Sequence, residues 1–95
     1  MVLAKVVGSV VSTKKEGSLE GLTMLLVRVV DDECRESGAF LVAADAVGAG
    51  PGEVVLVASG SSARQTQMTD KRPVDAVIMA IVDSWSVGEV TKYKK

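Results

Sequence analysis

Valine and isoleucine in this chain are gathered into five segments separated by polar or glycine-rich breaks, and this distribution restricts the fold more than any other feature. Branching at Cβ stiffens χ1 and suits the pleated, half-buried surface of a sheet. Val2 to Ser12 alternates, with Ala4, Val6, Gly8 and Val10 on one face and Lys5, Val7, Ser9 and Val11 on the other. Valines on both faces predict a strand buried on much of both sides. Gly8 inside it predicts a bulge or tight bend, the device by which a small sheet curls. Met24 to Val30 reads as a second strand, Phe40 to Ala44 as a third and Val54 to Ala58 as a fourth. Val74 to Val87 reads as the longest, with Ala76, Ile78, Ala80 and Val82 on one face and Val77, Met79, Ile81, Asp83 and Trp85 on the other. A helix competes for this last segment. Strand is preferred because Val and Ile concentrate there and Pro73 favours extended backbone before it.

The breaks fit the same scheme. Thr13 to Thr23, with Lys14, Lys15 and Glu16, is polar and ends the first strand, and Asp31 to Gly38 is the turn after the second. Asp45 to Gly52 is glycine-rich, and Gln65 to Pro73 is a polar connection. Ser61 or Ser62 can cap a single helical turn through Ala63 and Arg64, because a serine hydroxyl satisfies an otherwise unpaired backbone amide. Five short strands with one helical turn before the last predict a mainly β fold, a small OB-like barrel of five strands. At 95 residues the chain is read as a single domain, 1–95.

A chain this short buries only roughly 60–65% of its unfolded surface. Yet 47% of its residues are apolar and its mean hydropathy is +0.30. The excess implies that copies of the chain cover part of one another. No apolar run reaches the ~20 residues of a membrane helix. Lys5 lies early and no cleavage pattern follows Val6 and Val7, so a cytosolic chain without a signal peptide or membrane contact is expected. Cys34 is the one cysteine and there is no histidine, which closes off intramolecular disulfides, histidine triads and common zinc sites. A net charge of −1 and only three aromatics, Phe40, Trp85 and Tyr93, argue against a nucleic-acid binder.

Candidate sites are few. Val47-Gly48-Ala49-Gly50-Pro51-Gly52 superficially suggests a phosphate loop, but Glu53 and a valine-rich strand follow it instead of a helix, and Glu53 would repel a phosphate. Its glycines suit a plain turn or the close approach of another subunit. Ser61 and Ser62 have no histidine to activate them as nucleophiles. Arg64 on a one-turn helix could pair bidentately with a carboxylate across an interface. Asp45, Asp75 and Asp83 fall at different strand ends, which does not make a magnesium site or an acid–base pair. Cys34 sits among Asp32, Glu33 and Glu36, surroundings that disfavour a thiolate. The expectation is no cofactor, no metal and no catalytic residue, with Gly48, Ala49, Gly50, Gly52, Glu53, Ser61, Ser62, Ala63 and Arg64 at a subunit contact.

Five blocks in order, Ala4 to Lys14, Leu19 to Val27, Ala43 to Val57, Gly60 to Arg64 and Pro73 to Asp83, form a pattern over nearly the whole chain. In that pattern the chain resembles the EutN/CcmL family of bacterial microcompartment shell vertex proteins. Ala4 stands where the family often has glycine, and nothing after Trp85 contributes. The resemblance implies an OB-like barrel without enzymatic activity that assembles as a homopentamer. It also implies that hexamer-forming shell proteins are partners along the pentamer's edges, in a shell within the bacterial cytoplasm. The rival reading from the residues is an OB-type module binding single-stranded nucleic acid or a small ligand, which would need a basic groove or convergent polar groups.

Overall fold

The first four valine-rich runs each become a strand in the computed structural model, which describes residues 1–12, 17–19, 21–60 and 75–95 and so leaves out Val74, the first residue of the fifth run. The elements are β1 (Val2–Val10), a 3-10 turn (Gly17–Leu19), β2 (Met24–Val30), β3 (Glu36–Asp45), β4 (Val54–Ser59), β5 (Ala76–Ile81), β6 (Ser84–Val87) and β7 (Val90–Lys94). The first five strands close into a barrel in the order β1-β2-β3-β5-β4. Neighbours are antiparallel except β3 and β5, which run parallel through Ala44↔Val77 and Asp45↔Ile78. This is the expected five-stranded OB-like barrel. The helical turn expected at Ser61 to Arg64 lies outside the described residues.

A five-stranded barrel has a narrow interior, and the residues inside are correspondingly small. Ala4, Val6, Val27, Ala43, Val55, Val57 and Ile78 are fully buried there. Leu41 and Ile81 pack against them from the rim. Each buried valine contributes roughly 1.5–3 kcal/mol by leaving water. A second cluster, Leu22, Ala44, Ala58 and Val77, lies on the outer face of the sheet, where Leu19 and Met24 cover it. Strands β3 to β5 are therefore buried on both faces at that end, which explains why their sequences are apolar without alternation.

Three irregularities interrupt the ladder, and the first two change the side-chain assignments expected from simple alternation. In β1 the register shifts between Val6 and Gly8. Val7 is the extra residue, and beyond it the faces exchange: Ser9 opposes inward Leu25, while Val10 opposes outward Met24. The bulge at Gly8 was expected; its consequence for Ser9 and Val10 was not. In β5, Leu56 pairs with Ala80 but Val57 with Ile78, so Met79 bulges and Ile81 joins the inner face instead of the outer one. In β3, Arg28 opposes Phe40 and Val30 opposes Glu36, so the strand begins at Glu36, ahead of the expected Phe40. Gly38, expected to end the turn, has φ 92 and sits in this bulge. The turn itself contracts to Asp31–Arg35.

The expected single strand Val74 to Val87 is the clearest correction. It breaks at Val82 and Asp83, and the chain turns back through Gly88 and Glu89 to form the β6–β7 hairpin. Gly88 has φ 61 at the first of two central positions, the placement a II′ turn demands. Trp85 stacks on Tyr93 with ring centroids 4.7 Å apart. Lys92 is an extra residue in β7, and its ammonium reaches Glu33 at 2.8 Å. Trp85 Nε1 donates to Asp32 O at 2.9 Å, so the hairpin root is pinned to the β2–β3 turn.

Candidate subunit interface

The first half of the glycine-rich loop is organised by one carboxylate. Asp45 ends β3, is 9% exposed, and accepts hydrogen bonds from three successive loop amides. Val47 N and Gly48 N donate to its Oδ1 at 3.0 and 3.1 Å, and Ala49 N donates to Oδ2 at 3.0 Å. An aspartate bonding the backbone just ahead of itself is the Asx turn, and charge strengthens each bond. Gly48 takes φ 77, which a residue with a Cβ adopts only at a cost.

The second half of the loop is a type II turn. Pro51 supplies the fixed φ, Gly52 the positive one at 83, and Glu53 N closes it on Gly50 O at 3.2 Å. Glu53 then ties three segments together. Its Oε1 accepts from Gly50 N at 2.6 Å and its Oε2 from Lys95 Nζ at 2.8 Å. Its backbone carbonyl accepts from Val6 N, while Gly52 N donates to Val6 O, both at 2.9 Å. The Lys95 ammonium, followed by the Gly50 amide, holds the Glu53 carboxyl below its ordinary value. Lys95 Nζ is in turn held protonated further into alkali by Glu53.

Gly48, Ala49, Gly50, Gly52 and Glu53, expected at a subunit contact, thus lie on one short loop. Ala49 packs inward against the barrel core and anchors the loop, leaving Val47, Gly48, Pro51 and Gly52 exposed. Ser61, Ser62, Ala63 and Arg64 lie outside the described residues. Sequence reasoning did not place Asp45 as the loop's organiser, although an aspartate immediately before a glycine-rich turn was a usable signal. The C-terminal lysines could be expected to touch an acidic neighbour, and Lys95 does so at Glu53, a partner the sequence did not name.

Chemically the loop presents backbone and small apolar groups. Among the described residues no group of three His, Cys, Asp or Glu side chains could hold a metal ion. A groove of about 500 Å³ runs past Phe40, Val42, Ser59, Asp75 and Ala76, and is mostly apolar with a single carboxylate. Exposed apolar side chains are plentiful: Phe40 is 60% exposed, and Val7, Val10, Val42, Val87 and Val90 are also open.

The family model described as ethanolamine utilisation protein EutN/carboxysome matches residues 1–83. The chain belongs to the EutN/CcmL family. The carboxysome shell vertex protein CcmL of Nostoc sp. is 47% identical over all of this chain and 95% of its own length. Its structure superposes with a TM-score of 0.96, each chain covered completely. The Escherichia coli microcompartment shell vertex protein EutN is 41% identical over 99% of this chain and all of its own. The pentameric shell protein GrpN of Rhodospirillum rubrum matches with a TM-score of 0.85 and 42% identity, over 92% of this chain and 99% of its own. Within the EutN/CcmL family, the matched region ends at Asp83, so the β6–β7 hairpin falls beyond the family model.

Proposed function

We propose that this chain is a shell vertex subunit of a bacterial microcompartment in the cytoplasm, and that five copies close into a ring filling a five-fold corner. The observation that carries the reading is the match along the whole chain to the CcmL shell vertex structure, joined by the match to a GrpN structure that is itself pentameric. A heterologous contact that turns each copy by one fifth of a circle closes on itself. Sheets of hexagonal tiles cannot close into a shell without such corners. Hexamer-forming shell proteins then meet the ring along its rim.

The ring is held by the loop Gly48, Ala49, Gly50, Gly52 and Glu53 together with Ser61, Ser62, Ala63 and Arg64 of the adjoining segment. The support on the loop side is its rigidity: Asp45 and Glu53 fix it before assembly, so little entropy remains to be lost on contact. The subunit's role is mechanical, without catalysis, cofactor or nucleic acid. Relatives from carboxysomes and from ethanolamine-utilisation shells match at 47% and 41% identity, so the reading concerns the corner and not the cargo. Native mass spectrometry tests it. A species of five times 9.9 kDa is expected, and a monomer or dimer at micromolar concentration refutes it.

A further inference from the structure

The two carboxylates of the glycine loop are anchored differently. Asp45 directs both oxygens at amides of its own loop, those of Val47, Gly48 and Ala49. Glu53 divides its oxygens, Oε1 accepting from Gly50 N at 2.6 Å and Oε2 from Lys95 Nζ at 2.8 Å. Lys95 follows β7, so one half of the loop is braced from the hairpin and the other is not.

The brace has a defined footing. Lys95 N donates to Asp83 O at 2.7 Å, which joins the two ends of the hairpin, and Val82 N donates to Val54 O at 2.8 Å, one residue beyond Glu53. The carboxylate is seated against the Gly50 backbone, with Oε1 3.4 Å from where a Cβ at Gly50 would stand. Gly52 N and Glu53 O are both fixed on β1 by Val6, so the Gly50 side of the turn is the part that depends on the carboxylate. Its other closure, Glu53 N to Gly50 O at 3.2 Å, lies at the long end of the hydrogen-bond range.

We infer that Lys95 is a positioning residue for the glycine loop: by holding one oxygen of Glu53 it aims the other at Gly50 N, and so couples the seating of the hairpin to the Gly50–Glu53 turn of the same chain. A glutamate has three side-chain torsions, and the Glu53 side chain is 24% exposed. Without the ammonium its carboxylate can turn to water, and Gly50 N loses a fixed acceptor. The Val47–Ala49 half is insulated, because none of Asp45's printed partners belongs to the hairpin. Coupling of this kind acts in both directions, so a Glu53 that no longer serves both donors loosens the root of the hairpin as well. Gly50, Gly52 and Glu53 belong to the proposed ring contact, which gives the hairpin an intramolecular hold on that contact. This consequence rests on the vertex reading; the coupling within one chain does not.

Backbone amide hydrogen exchange on the full-length chain tests this, with wild type and variants compared at the same oligomeric mass. Lys95→Ala should speed exchange of the Gly50 amide about two- to fivefold, the range an exposed ion pair allows, while Val47, Gly48 and Ala49 keep their wild-type rates. Lys95→Arg, which retains a donor and a charge, should restore most of the protection. In the reverse direction, Glu53→Gln should speed exchange of the Lys95 amide on Asp83 O, since one amide oxygen can serve only one of the two donors. An unchanged Gly50 rate in Lys95→Ala overturns the inference, as does an unchanged Lys95 rate in Glu53→Gln. Equal acceleration at Val47, Gly48, Ala49 and Gly50 overturns it too, because the loop would then open as one unit. A chain that forms no pentamer refutes the vertex reading and leaves these rates to decide the coupling within the subunit.

Discussion

Replacing Asp45 should unravel the glycine loop in graded steps, because its two oxygens do unequal work. Oδ1 takes two amides and Oδ2 takes one. Asp45→Asn can keep an oxygen toward Val47 N and Gly48 N, but it then points an NH₂ at Ala49 N, a donor against a donor. One charge-assisted bond is lost and two are weakened, a loss of about 1–2 kcal/mol. Asp45→Ala removes all three acceptors. Full loss at about 1.5–3 kcal/mol per bond overstates the effect, since Val47 and Gly48 are exposed and their amides can turn to water. Ala49 is half-buried and cannot do so as freely. About 2–4 kcal/mol is therefore expected for Asp45→Ala, with Asn between it and wild type. Urea unfolding at one fixed subunit concentration measures this, since any assembly makes stability depend on concentration. Asn indistinguishable from wild type, or Ala costing less than about 1 kcal/mol, would refute the assignment of Asp45 as the loop's organiser.

Cys34→Gly should stabilise the chain by roughly 0.5–1 kcal/mol, because Cys34 has φ 63 at the bulge of the β2–β3 hairpin, where left-handed backbone strains a side chain; equal or lower urea stability would count against it. Trp85→Phe keeps the ring but loses the bond from Nε1 to Asp32 O, at a cost of about 1 kcal/mol, and hydrogen exchange in β6 and β7 should accelerate while the barrel is unaffected. Acid should weaken the fold through Glu53 and Glu33, whose carboxyls are held low chiefly by hydrogen bonds from Lys95 and Lys92. Their contribution is complete above the ordinary value of 4.5 and disappears as pH falls through the lowered folded values, so Glu53→Gln with Glu33→Gln should flatten that part of an acid-unfolding curve. Lys92 and Lys95 are raised by the same pairs, so their share is complete below 10.5 and is lost as pH rises through the raised values.

The barrel was legible because β-branched runs leave little choice of conformation at Val54 to Ala58 or Met24 to Val30. What misled the reading was assuming strict alternation. Val7, Met79 and the segment around Gly38 each add residues to one strand, and the single-residue additions at Val7 and Met79 turn the following side chains over. A small barrel needs such irregularities to curve. Gly8 announced one of them, because glycine in a strand has few other uses. Met79 announced nothing, since a methionine suits either face. The hairpin was missed for a different reason: Val87 and Val90 continue the apolar run of β5, and only Gly88 between them marks the reversal.

At the loop, the glycines suited either a plain turn or close approach of another subunit; the structure shows the turn, but glycine by itself gives freedom and not shape. Shape comes from Asp45 and Glu53, two carboxylates whose partners are amides of the same loop, with Lys95 added from the far end of the chain. Composition counts those charges as surface solubility. Geometry makes them internal struts, so a loop with almost no side chains of its own can hold one conformation while its outer edge stays apolar and bare. A rigid, nearly side-chain-free edge suits a contact repeated five times around an axis, because any disorder there would be counted five times as well.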